Sequence, residues 1–270
     1  MSSITVNGAE LHYEVRGEGP PLLLIMGASG YGGLFAGLAE RLADEFTVVT
    51  YDRRGNGRSP RPDGWSETST SPAEQADDAA ELLRALGLDP AAIFGTSSGG
   101  VFALEMALRH PEAVRAAILH EPAFFALFDD PAGVREQVSE LIQDGMAAGG
   151  PRTAFERFLR MVAGDANWES LDPNEQQRLL AGADTYFGQE VGRFDDYVPD
   201  ASLLAATAVP IEILVSEDSL PEFAQAARRI APSLGIEVTR TPGTHFPYLD
   251  HPDELAQALK RLLRQVAAHA

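Results

Sequence analysis

The stretch Ala91-Ala92-Ile93-Phe94-Gly95-Thr96-Ser97-Ser98-Gly99-Gly100 decides the reading of this chain. A short apolar run stops at a Gly-x-Ser-x-Gly, and a long helical pattern begins directly after it. A serine on so sharp a strand-to-helix turn has a strained backbone. Strand and helix can pack that closely only if the residues two positions away carry almost no side chain. Gly95 and Gly99 meet that need. As a bare pattern this is also what a tight turn looks like; strand before and helix after make Ser97 a candidate nucleophile.

Working outward, residues 22–26 form a continuous apolar run of the kind expected for a strand covered on both faces. It ends in Gly27-Ala28-Ser29-Gly30-Tyr31-Gly32-Gly33, and residues 34–43 follow with helical spacing. A glycine-rich loop between strand and helix raises nucleotide binding. The loop holds no lysine to reach a phosphate, and the glycines do not follow Gly-x-Gly-x-x-Gly. The better reading is a loop that exposes a backbone N–H to developing negative charge. Residues 46–51 are the next strand, with Asp52-Arg53-Arg54-Gly55-Asn56-Gly57-Arg58-Ser59 at its end, and a surface stretch rich in Pro, Ser and Thr runs to Ser71. A helix is expected over 72–86, stopped by Gly87, and another over 98–110, stopped by Pro111. Residues 114–119 are a strand leading to His120-Glu121-Pro122. Residues 4–6 and 11–15 flank Asn7-Gly8-Ala9 and read as a hairpin at an antiparallel edge. Strands alternating with helices imply a mainly parallel sheet.

From residue 123 to about 208 the alternation stops, and helical patterns run over 133–146, 153–162 and 174–187. The organisation expected is a core of residues 1–122 and 209–270 with a helical cap inserted at 123–208. Most of the cap aromatics, which include Phe124, Phe125, Phe128, Trp168, Tyr186, Phe187, Phe194 and Tyr197, pack the cap itself. Phe124, Trp168 and Phe187 are the candidates for lining a substrate pocket. The sheet resumes at 211–215, followed by a helix over 223–230, a last strand over 236–241, a loop Pro242-Gly243-Thr244-His245-Phe246-Pro247 and a final helix over 252–266.

With 44% hydrophobic residues in 270, the chain can bury a sizeable core. A formal net charge of −19 argues against nucleic acid or an anionic membrane as partner and favours a neutral or cationic ligand. The absence of cysteine excludes disulfides, thiolate zinc sites and a Cys nucleophile. No metal or organic cofactor is implied. The first ten residues lack the basic and apolar regions of a signal peptide, and no run approaches the roughly 20 apolar residues of a membrane span. The expectation is a soluble, cytoplasmic protein.

A serine hydroxyl needs a base, usually imidazole oriented by a carboxylate. Six histidines are available. His12 lies in the edge hairpin, His110 precedes Pro111, His251 introduces the last helix as a capping residue, and His269 is near the end. His120 sits at a strand end. His245 has the best placement, after the last strand, at the carboxyl edge where α/β proteins put their ligands.

Over residues 4 to 266 the chain resembles the α/β-hydrolase superfamily, whose fold is a mainly parallel eight-stranded sheet flanked by helices, here with an inserted helical cap. Gly95-Thr96-Ser97-Ser98-Gly99-Gly100 is similar to its nucleophile elbow, and the loop from Asp52 to Ser59 to its Asp-x-Arg-Gly-x-Gly-x-Ser segment. The resemblance puts the general base on His245 and the oxyanion donors on the N–H groups of Ala28 and Ser98. Met26 stands where the family usually has His, so the hydrogen bonds supporting that loop must differ. The acid also departs. The usual Asp after the strand at 211–215 would fall on Ser219, with Asp218 one residue early. Glu121 is the alternative, at the end of the strand beside Ser97, with Pro122 expected to hold the chain extended there. Zearalenone-type lactone hydrolases of this superfamily use a Glu at that place and share the Ser-Ser-Gly elbow and a His-Phe-Pro-Tyr loop. Glu121 is therefore favoured over Asp218.

The resemblance implies a serine esterase or lactonase that cleaves a small hydrophobic ester or lactone through an acyl-enzyme. The alternatives left open are a carbon–carbon bond hydrolase or perhydrolase on the same triad, and a non-catalytic ligand-binding receptor that keeps the fold.

Overall fold

The computed structural model describes residues 2–65, 70–193 and 195–269, with side chains to residue 266. Phe194, part of the stretch before Ser71, and the side chain of His269 lie outside the described residues. Eight strands form one sheet: β1 Ser2–Val6, β2 Ala9–Arg16, β3 Pro21–Ile25, β4 Thr47–Tyr51, β5 Ala91–Thr96, β6 Val114–His120, β7 Ile211–Ser216 and β8 Thr239–Thr241. Their order is β1-β2-β4-β3-β5-β6-β7-β8. The Asn7-Gly8 hairpin makes β1 and β2 antiparallel, β2 runs antiparallel to β4, and every other pair is parallel. β5 is buried along its whole length, as an uninterrupted apolar run between two helical layers should be.

α1 (Ala36–Leu42) packs on one face of the sheet through Leu38 and Leu42. α2 (Pro72–Leu86) and α3 (Ser98–Arg109) cover the other through Leu82, Leu83, Val101 and Phe102. The local signals for α2 act as read. Ser71 Oγ accepts from the Glu74 N–H, Pro72 opens the first turn, and Gly87 closes the helix with a left-handed φ of 68°.

Between β6 and β7 the chain builds a helical insertion: α4 Pro131–Gly149, α5 Pro151–Ala163, α6 Asp165–Ser170, α7 Pro173–Ala181, α8 Ala183–Thr185 and α9 Ala201–Ala206. The helix expected over 174–187 is broken at Gly182, after which α8 runs into a π-helical turn over Tyr186–Glu190. Two short helices, α6 and α9, escape a periodicity reading because they are each only six residues long. α10 (Pro221–Leu234) returns to the face of α2 and α3, through Phe223 and Ala226. α11 (Pro247–Asp250) and α12 (Pro252–His269) complete the face of α1, through Tyr248 and Leu255. The last strand is three residues rather than six. No described helix is long and apolar enough to cross a membrane.

Candidate active site

Ser97 follows β5 at the carboxyl edge of the sheet and has φ 56°, one of three positive values among the described non-glycine residues. The flanking glycines are sterically required. A Cβ on Gly95 would lie 2.1 Å from the Gly99 carbonyl oxygen, and one on Gly99 would lie 2.2 Å from that of Ile25. The turn is fixed from β6: the Ser97 N–H donates to His120 O at 2.9 Å, and Ser97 O accepts from Ala123 N at 3.2 Å.

Glu121 is fully buried and also has a positive φ, 45°. The extended backbone expected before Pro122 is therefore not adopted. Tertiary hydrogen bonds override the local preference: the Glu121 N–H donates to Leu214 O (2.9 Å) while its Oε1 accepts from Ser216 N (2.9 Å). Both ends of the residue are thereby bound to β7. Its Oε2 accepts from Ser219 Oγ at 2.7 Å and lies 2.5 Å from His245 Nδ1. Burial raises this carboxyl, but neighbouring His120 and the hydrogen bonds from His245 and Ser219 outweigh it, holding the group below the usual carboxylate range.

His245 is buried, and its ring stacks on Phe223 with centroids 4.1 Å apart. Its loop is tied to the insertion. Asp250 Oδ2 accepts from Thr244 N (3.0 Å), Thr244 Oγ1 (2.6 Å) and Asn167 Nδ2 of α6 (3.0 Å). Asp218 is exposed, its N–H donating to Gly243 O. Ser219, at the position where an Asp was expected, instead donates to Glu121.

The other described histidines have different surroundings. His120 is fully buried between Thr96 Oγ1 and Ser216 Oγ, each 2.9 Å from a ring nitrogen, and burial pushes its pKa down to about 4. His110 contacts Asp77 at 2.7 Å, His251 contacts Asp250 at 3.1 Å, and His12 is buried in β2. Among the described residues no group of three or more His, Asp or Glu is arranged to hold a metal.

The segment Met26-Gly27-Ala28 passes so close to Ser97 that a Cβ on Gly27 would lie only 2.8 Å from Ser97 Cβ. Its carbonyls are held by Arg53, which is fully buried: Nε donates to Met26 O at 2.9 Å and Nη2 to Gly27 O at 2.7 Å. Arg53 also forms a two-pronged ion pair with Glu190 of the insertion, at 2.8 and 2.9 Å. Adjacent Arg54 turns the other way and pairs with Asp78 of α2, at 2.6 Å on both prongs. The motif separates the two only by placing Arg54 at its Arg and Arg53 at its variable position, which does not foretell that Arg53 is the one to enter the core.

Two cavities meet at Ser97. The larger, about 790 Å³, is also lined by His245, Phe223 and residues of α4 and α5. The smaller, about 420 Å³, is lined by Ser98, Ala123, Ile142, Tyr186 and Glu190. Ala28, Phe125, Val138 and Phe158 border both. The three aromatics expected to line a substrate pocket line neither cavity. Phe124 is buried against Tyr197, Trp168 lies under the Arg160 guanidinium, and Phe187 packs on Phe155 and Tyr186. Phe125 and Tyr186, each one residue away, take their places because adjacent side chains leave the backbone in different directions.

A family model described as the alpha/beta hydrolase fold matches residues 20–183. This chain belongs to the α/β-hydrolase fold family. Across 99% of its length and 97% of that protein's, it is 31% identical to an uncharacterized hydrolase, YraK, of Bacillus subtilis. It is 34% identical, over 94% of this chain and 96% of the relative, to a pimeloyl-[acyl-carrier protein] methyl ester esterase of Stenotrophomonas maltophilia. Among solved structures, a thermophilic esterase from Thermogutta terrifontis matches this α/β-hydrolase with TM-score 0.77 and 24% identity, covering 98% of each chain. The similarity to zearalenone-type enzymes is not reproduced specifically in these relatives.

Proposed function

We propose that this α/β-hydrolase is a serine esterase that cleaves a neutral, hydrophobic carboxylic ester, lactones included, with Ser97 as nucleophile, His245 as base and Glu121 as the acid. The observation that carries the reading is the 2.5 Å contact from Glu121 Oε2 to His245 Nδ1, with His245 and Ser97 bordering one cavity. A buried carboxylate on Nδ1 fixes the tautomer that leaves Nε2 free to accept a proton, and stabilises the imidazolium formed when it does. His245 takes the Ser97 hydroxyl proton as Oγ attacks the carbonyl carbon. The developing oxyanion accepts hydrogen bonds from the N–H groups of Ala28 and Ser98, the latter in the first turn of α3 where the helix dipole favours negative charge. His245 then returns the proton to the leaving oxygen, and water repeats the sequence on the acyl-enzyme.

Because His245 protonates the leaving oxygen, the alcohol portion belongs in the cavity that His245 borders, and the acyl portion in the one bordered by Ser98. Glu140, Asp144, Asp165 and Glu222 outnumber Arg157 and Arg160 around the larger cavity, and that negative excess disfavours an anionic leaving group. The ester named for the 34% identical relative supports carboxylic-ester chemistry.

The test is a panel of p-nitrophenyl esters, alkyl esters and lactones assayed with wild type and Ser97→Ala, alongside labelling by a fluorophosphonate. Turnover and labelling that both vanish in a folded Ser97→Ala support the reading. Unchanged turnover removes it.

A further inference from the structure

We infer that Arg53 and Glu190 are a positioning pair that aims the Ala28 N–H, so that the helical insertion completes the oxyanion hole as well as walling the cavities. The inference rests on the esterase reading above. All five N–H donors of Arg53 are used. Nε bonds Met26 O, Nη2 bonds Gly27 O and Glu190 Oε2, and Nη1 bonds Glu190 Oε1 and Gln75 Oε1 (3.2 Å). Its guanidinium carbon lies 4.9 Å from the centroid of the Phe102 ring, so the planar fork has little freedom to turn.

The consequence for Ala28 follows from peptide geometry. In a planar trans peptide the C=O and the N–H of the next residue point in opposite directions. The Gly27 carbonyl accepts from Gly30 N–H at 2.8 Å in the loop's own turn and from Arg53 Nη2 at 2.7 Å, and being drawn onto Arg53 it sends the Ala28 N–H away from Arg53, on a segment that passes beside Ser97 and borders both cavities. The Met26 carbonyl, bonded to the same guanidinium, sets the preceding peptide. Arg53 thus supplies support at the loop where Met26 replaces the family's usual histidine.

A guanidinium with no exposed surface needs a counter-charge. Glu190 provides it from the π-helical turn of the insertion, is itself only 1% exposed, and is held further by Asn56 Nδ2 at 3.3 Å. The line from insertion to oxyanion donor is continuous: Glu190 carboxylate, Arg53 guanidinium, Gly27 carbonyl, Ala28 N–H.

The experiment compares wild type, Arg53→Lys, Glu190→Gln and the double variant Arg53→Met/Glu190→Met. Readouts are kcat and KM for a short p-nitrophenyl ester, inhibition by a boronic acid that mimics the tetrahedral intermediate, and the melting temperature. Removing both buried charges together restores thermal stability to near wild type. The expected result is that kcat of the double variant nonetheless stays about 10²-fold down, in the range for loss of one oxyanion donor. KM changes less than about threefold, and boronate affinity falls in step with kcat/KM. Arg53→Lys, which keeps the charge but loses the fork, gives a smaller fall of the same kind. Recovery of kcat together with melting temperature in the double variant, or a wild-type kcat in Arg53→Lys, overturns the inference. If the double variant does not fold, Arg53→Lys decides alone, and a wild-type kcat there overturns the inference. Fluorophosphonate labelling separates the two levels. An unlabelled wild type removes the esterase reading and this inference with it, whereas a labelled wild type with unaffected variants removes the inference only.

Discussion

The two flanks of Ser97 are built differently. On the His245 side the polar partners come from the sheet core: Glu121 at the end of β6, Ser216 and Ser219 around the end of β7, and a histidine loop after β8. The insertion touches that side through a part-buried amide, Asn167 to Asp250. On the Ala28 side the proposed donor is a backbone N–H, and the carbonyls of its loop are bonded by an arginine whose buried ion pair reaches into the insertion. A side chain held by several hydrogen bonds from one rigid sheet is oriented locally. A backbone N–H has no handle of its own and is aimed through the preceding carbonyl, here bonded both by Gly30 N–H of the same loop at 2.8 Å and by Arg53 from outside it.

The sharpest way to break this contrast is Glu121→Gln. It preserves shape but removes the carboxylate charge that faces His245 Nδ1, and kcat is expected to fall about 10³–10⁴-fold, as when a triad carboxylate becomes an amide. Asp218→Asn should stay within about twofold. Steady-state kinetics on both variants check the assignment, and a loss confined to Asp218→Asn reverses it.

Next in size is Glu190→Leu alone, which strands the Arg53 charge in the core. Urea unfolding should show a loss of about 3–5 kcal/mol. The equivalent cut on the other flank, Asn167→Ala, removes hydrogen bonds from a part-buried site and should cost about 1 kcal/mol. Equal costs would remove the contrast between the flanks.

A pH series sharpens the His245 side. His120 lies beneath it, with a folded pKa of about 4 against an ordinary 6.5. As pH falls through 6.5 the unfolded chain takes up a proton that the folded chain refuses until about pH 4. Stability therefore declines across that window, by about 3 kcal/mol, and this contribution is flat below it. His120→Asn should show a shallower decline between pH 6.5 and 4.5 in denaturant unfolding. An unchanged slope would mean that other groups carry it. The depressed Glu121 acts lower: its contribution is present above the ordinary carboxylate value and lost as pH falls through its own lower folded pKa.

The smallest effect is that of Ser219→Ala, which removes one of the donors on Glu121 and leaves Ser216 N and His245 in place. kcat should fall about threefold to tenfold with KM unchanged, consistent with one hydrogen bond of roughly 1 kcal/mol. A change in KM alone would show that the hydroxyl contacts substrate instead.

Ser97, Glu121 and His245 could be picked out in the sequence because each ends a strand or follows one, and strand ends on a parallel sheet share an edge. The places where the structure departs from the sequence reading have a common character. Phe125 rather than Phe124, and Tyr186 rather than Phe187, border the cavities, one residue from the expected positions in segments where no regular strand or α-helix fixes the outward direction. The expected helix over 174–187 ignored the break at Gly182, and without that break the π-helical turn that delivers Glu190 is invisible. Arg53 falls on the variable position of the Asp-x-Arg-Gly motif and Arg54 on its Arg, yet it is Arg53 that enters the core beside Ser97 while Arg54 pairs with α2.

The sequence by itself determined the order of the strands and of the helices that cover the sheet, the strained serine between Gly95 and Gly99, and the candidate site's position at the carboxyl edge. These follow from local sterics and from hydrophobic periodicity, which act over a few residues. Only the tertiary structure decided that Glu121 rather than Asp218 meets His245, which aromatics border the cavities, and that Arg53 meets Glu190 from 137 positions away. Those outcomes depend on contacts between segments far apart in the chain, whose directions are set only after the sheet and the insertion have packed together.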